Sequence, residues 1–126
     1  MIGIVIVANR NLALELHACV VSILGRQDHL VSIAVEDDHD RQHKQQEICD
    51  ALLSVDRGNG IALVTDVYGS SPANLSMCVC NRKDTVVITG VNLPMLIKLI
   101  KCRRRSLEEA AHLACEAGQK HIRMIH

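Results

Sequence analysis

Apolar and polar positions alternate in blocks along this chain. "IGIVIVA" (2–8) is a continuous β-branched run, the pattern of a strand buried on both faces of a parallel sheet. Helical spacing follows at once: Leu12, Leu16, Cys19, Val20 and Ile23 fall on one predicted face, Asn11 can cap the start, and Gly25 ends it. "LVSIAV" (30–35) predicts a second strand. "EDDHD" then brings acidic residues to the start of a helix over about 40–54, with Ile48, Ala51, Leu52 and Val55 on its apolar face. "DRGNG" is a loop and "IALVT" (61–65) a third buried strand. Ser71-Pro72 predicts an N-cap followed by proline at the first helical position, opening a short helix to about Cys80. "TVVIT" (85–89) predicts a fourth strand, and "GVN" leads into a helix over about 93–101. Ser106 with Glu109 forms a capping box for a last helix, which Gly118 closes. The tail "KHIRMIH" alternates like a half-buried strand.

Four strand–helix alternations predict an α/β fold. It is an open three-layer sheet of four mainly parallel strands, with helices on both faces and a C-terminal edge or swapped strand. A length of 126 residues suits one domain, 1–126, with one full core. That core must be aliphatic, because the chain has one Tyr and no Trp or Phe. Fourteen basic residues balance fourteen acidic ones, so nothing in the net charge calls for nucleic acid or an anionic membrane. The run "KCRRR" (101–105) reads as a solvated connection. No stretch reaches the roughly 18 apolar residues of a membrane span, and the first apolar run lacks the basic flank of a signal peptide. The expected location is therefore the cytoplasm, without direct membrane insertion. The six cysteines form no framework and read as reduced.

Chemistry is expected where loops leave the carboxyl ends of the strands. Ala8-Asn9-Arg10, Asp66 to Ser71 and Gly90-Val91-Asn92 should converge there. They would bring a carboxylate, the hydroxyls of Thr65, Ser70 and Ser71, flexible glycines including Gly69, and helix amino ends suited to an anion. A purely structural role, with Asp66 and Ser71 capping the turn and the helix, competes with that anion site. No cofactor is expected. Two metal arrangements carry little weight. His39 and His43, four apart beside Asp37, Asp38 and Asp40, read as a solvated helix start. Cys78-x-Cys80 would point its thiols to different helix faces.

"MIGIVIV…NLA", "TDVYGSSPANL" and "GVNLPML" together resemble the mannose-type IIA family of the bacterial phosphoenolpyruvate-dependent sugar phosphotransferase system, nearly end to end. The resemblance implies a phosphocarrier. In that family a histidine at the end of the first strand takes a phosphoryl group from a histidine-containing carrier protein and passes it to a IIB or permease component. Aligned on those motifs, Asn9 stands where that histidine should be, Ala8 replaces a small or hydroxyl residue, and Arg10 replaces a glycine. Asp66 and Ser71 match the family's supporting residues, while Ser70 departs from a usual second glycine. An amide nitrogen is not a nucleophile, so the expectation is a IIA-type protein with a degenerate site at Asn9 and Asp66. Arg10, Gly69, Ser70 and Ser71 would be placed to bind phosphate. Such a protein would act by binding the carrier protein, a IIB component or a regulatory target. A phosphocarrier using another residue and a small anion- or metal-binding module are the alternatives. His17 lies roughly 10 Å down the first helix, poorly placed to substitute. The resemblance also implies a homodimer, with residues 119–126 in its interface.

Overall fold

The computed structural model describes residues 1–67, 69–79 and 82–126. The elements run β1 (Gly3–Asn9), α1 (Leu12–Leu24), β2 (Leu30–Val35), α2 (Arg41–Val55), β3 (Ile61–Thr65), α3 (Ser71–Val79), β4 (Thr85–Ile88), α4 (Leu93–Lys101) and α5 (Leu107–Lys120). The four strands form one parallel sheet in the order β2-β1-β3-β4. This is the α/β architecture that the block pattern predicts. β1 and β3 hold the centre, which is why their sequences are unbroken apolar runs: both faces are covered.

Side chains alternate across the sheet, so each strand feeds two cores. Ile2, Ile4, Ile6, Ala62 and Val64 pack with α1, α4 and α5. Val5, Val7, Leu63 and Ile61 pack with α2 and α3. Gly3 is required by a close approach: a Cβ there would lie 2.3 Å from the backbone oxygen of Val55, at the end of α2.

Three local expectations shift. The buried stripe of α1 is Ala13, Leu16 and Val20, whereas Leu12 and Ile23 stay 44% and 56% exposed and Cys19 is exposed as well. Leu12, Cys19 and Ile23 each precede a core-facing residue by one position, which turns them about 100° off the stripe. The α3 cap moves back by one residue. Ser71 is already helical, and Ser70 Oγ accepts from Ala73 N at 3.3 Å. The tail also differs: residues 122–126 carry no strand in the single chain, and Ile122, Met124 and Ile125 are 78–85% exposed. Among the described residues β4 pairs with β3 alone, so its outer edge is open in one chain.

Candidate functional site

From β1 the sheet steps outward to β2 on one side, and from β3 it steps to β4 on the other. The strand order therefore reverses between β1 and β3. Their carboxyl ends splay into the crevice where open α/β sheets hold ligands. Asn9 is the last residue of β1, and Asp66 directly follows β3.

Asp66 is 6% exposed. Its Oδ2 accepts from both the backbone N and the Nδ2 of Asn9, each at 2.9 Å. Its Oδ1 accepts from Val67 N and Ser70 Oγ, each at 2.8 Å. Burial pushes this carboxyl's pKa up. The bonds from Asn9 N, Ser70, Val67 N and Asn9 Nδ2 together outweigh that, so it lies below its ordinary value and the group is an anion at neutral pH. Ser70 is the hinge of the arrangement, because its hydroxyl donates to Asp66 and accepts from the first turn of α3. The fully buried hydroxyl of Thr65, one residue earlier, has no partner among the described residues.

The loop after β4 is tied to the same rim. Gly90 N donates to the Asp66 carbonyl, and Val91 N to that of Thr65 at 2.9 Å. Asn92 caps α4 through Met95 N at 3.0 Å, and its Nδ2 donates to Gly118 O at 3.1 Å. A Cβ at Gly118 would lie 3.0 Å from Met95 Cβ and 3.2 Å from Asn92 Oδ1, so α5 closes on this cap only through glycine.

Arg10 takes a left-handed backbone, φ 50°, a region that disfavours side chains. Its N donates to Val35 O at 2.9 Å, joining the β1 turn to the end of β2. Its guanidinium pairs with Asp37, with both side chains 71% exposed, and holds that carboxyl below its ordinary value. Of the four residues expected to bind phosphate, Arg10 and Ser70 thus already have partners within the chain, while Gly69, on the loop, and Ser71, the first residue of α3, lie exposed.

The histidines lie elsewhere. His17 Nδ1 is 3.1 Å from Ser32 Oγ, and Ser32 pairs with Ile6, three residues back from the rim. His39 Nδ1 meets the Glu36 carbonyl, and His43 is exposed. Among the described residues, no group of three or more His, Cys, Asp or Glu could hold a metal ion. Cys80, half of the Cys78-x-Cys80 pair, lies outside the described residues. Sequence reasoning missed the Arg10–Asp37 pair and the Asn92–Gly118 contact. The available signals were a cation just after the first strand and the acidic run "EDD" just after the second, and a glycine with two more helix-compatible residues behind it.

Residues 3–115 match the family model described as PTS system fructose IIA component, EIIA-man. The chain belongs to the EIIA-man family. That family is described as a IIA component of the phosphotransferase system. The chain is 32% identical over 77 residues to the mannose-specific EIIAB component of Escherichia coli K12, a match covering 59% of this chain and 24% of that protein. The matched part is thus about a quarter of that curated relative's length. Among solved structures, phosphotransferase system component EIIA from Streptococcus agalactiae superposes with a TM-score of 0.88 at 22% identity, covering 98% of this chain and 97% of that one. The mannose/sorbose specific IIA subunit from Enterococcus faecalis gives 0.88 at 20% identity, covering 99% and 95%. At these identities the EIIA structures speak for the fold, which has the same extent in all three chains.

Proposed function

We propose that this EIIA-man protein does not carry a phosphoryl group at position 9 and works by binding its phosphotransferase-system partners. The observation that carries this reading is the Asn9–Asp66 pair. Asn9 Nδ2 donates to Asp66 as the ring N–H of a histidine oriented by that aspartate would. The amide goes no further: its nitrogen lone pair is delocalised into the carbonyl, so it offers no nucleophile for phosphorus. The supporting carboxylate is retained and the acceptor is missing.

The partners that fit this reading are the histidine-containing carrier protein and a IIB or permease component, met in the cytoplasm. A second chain is also part of it. The open edge of β4 and the exposed, alternating tail favour a homodimer in which each tail adds a strand to the other subunit's sheet. A phosphocarrier using His17 is disfavoured by its bond to Ser32, well down the helix from the rim.

A relay assay tests the proposal. The chain is mixed with phosphoenolpyruvate, the upstream enzyme, the carrier protein and a IIB acceptor. The expected outcome is no phosphoryl transfer to IIB above the level reached without the chain. Transfer that depends on the chain would contradict it.

A further inference from the structure

We infer that the rim around Asn9 and Asp66 docks the unphosphorylated form of a histidine-bearing carrier protein and turns away its phosphorylated form. The inference rests on the IIA reading above and concerns which state of that partner the site accepts.

Asn9 supplies the first part of the argument. Two donors of this one residue, N and Nδ2, converge on Asp66 Oδ2. That contact sets which way the amide faces. Oδ1 is left as an acceptor on an exposed residue, with no donor of its own among the described residues. An unphosphorylated imidazole presents the N–H such an acceptor needs. Phosphorylation puts a phosphoryl group on the ring nitrogen that would otherwise face this acceptor, the ring proton staying on the other nitrogen or leaving to solvent, and brings close to two negative charges toward the carboxylates beside it.

Charge supplies the second part. Asp66 is ionised and, among the described residues, contacts only neutral donors. Glu36, Asp37 and Asp38 follow directly on Val35, the residue paired with Asn9. Arg10, the cation nearest in sequence to Asn9, is paired with Asp37. The open start of α1 works the other way, since Asn11 makes no side-chain cap there. A helix amino end is worth only about half a positive charge, less than the carboxylate of Glu36 or of Asp38, since that of Asp37 is offset by Arg10. The start of α3 is nearly closed to an anion, because Ala73 N already donates to Ser70 and Pro72 has no N–H.

Shape supplies the third. Leu12, 44% exposed, and Val67, 66% exposed, flank the Asn9–Asp66 pair in sequence. Each leaves apolar surface exposed that a protein partner could cover.

The test titrates the full chain with the carrier protein in its two states, the phosphorylated one maintained with phosphoenolpyruvate and the upstream enzyme. Affinity is read by calorimetry and by amide shifts at Asn9, Val67 and Ser70. The unphosphorylated form should bind roughly tenfold tighter at low salt, and the ratio should shrink as salt is raised. Asn9→Ala should weaken binding of the unphosphorylated form several-fold and leave the other form unchanged. Asp38→Asn, a change at an exposed side chain, should narrow the ratio. Equal or tighter binding of the phosphorylated form, or full discrimination by Asn9→Ala, overturns the inference while the IIA reading stands. Failure of both forms to bind overturns the two together.

Discussion

At Asp66 a buried carboxylate is held by four neutral donors, with no cation in contact among the described residues. Its folded pKa lies below the ordinary 3.8. The stability it contributes is therefore complete above the unfolded value and is lost as pH falls through the folded one. Asp37 and Asp56, also depressed, act in the same direction. Thermal melts of the wild-type chain should be level at mildly acid pH and fall below about pH 4. Asp66→Asn should cost about 1.5–3 kcal/mol at neutral pH and flatten the acid limb of the profile; an unchanged profile would place the acid sensitivity elsewhere. Thr65 offers the opposite test. A buried hydroxyl without a partner costs about 1–3 kcal/mol, so Thr65→Val should raise the midpoint of urea unfolding, and a lower midpoint would mean that the hydroxyl is satisfied after all.

Among the elements, α4 and α5 meet at one contact that the sequence contains but does not advertise. "GVN" reads as the lead-in to a helix, and Asn92 caps it. Its second bond, to Gly118, joins positions 26 residues apart. No local pattern encodes that, and Gly118 was legible only as a helix stop. The helix in fact continues to Lys120. Gly118→Ala should cost about 1–3 kcal/mol from overpacking against Met95 and Asn92, offset by up to about 1 kcal/mol of helix propensity. Denaturant unfolding checks the sign, and a stabilised variant would mean that the two helices part easily. Strands 61–65 and 30–35 were legible to the residue because unbroken apolar runs with β-branched residues suit few other structures. The face of α1 was less so. Its flanks carry Leu12, Leu14, Val21 and Ile23, so helical spacing alone does not pick the stripe that Ala13, Leu16 and Val20 define. The α3 cap was misplaced by one because either serine of "SSP" could serve, and only the proximity of Asp66 decides for Ser70.

For the whole molecule, alternating strands and helices were enough to foretell the layers, but strand order had to come from the fold. Placing β3 beside β1 is what brings Asn9 and Asp66, 57 positions apart, into hydrogen-bond contact. The tail remains the least determined segment, since its alternating pattern needs a strand edge to pair with and in the single chain it lies on none. Light scattering of the intact chain should give a dimer, and removal of residues 122–126 a monomer. The same mass for both would count against a tail-borne interface.

The central claim concerns one atom's chemistry at Asn9, and intact mass is its most direct measure. The chain is incubated with phosphoenolpyruvate, the upstream enzyme and the carrier protein, and its mass is recorded under conditions that preserve phosphohistidine. The account predicts an unchanged mass while the carrier itself gains its phosphoryl group. A gain of one phosphoryl group on this chain, mapped to His17 or any other residue, would contradict it.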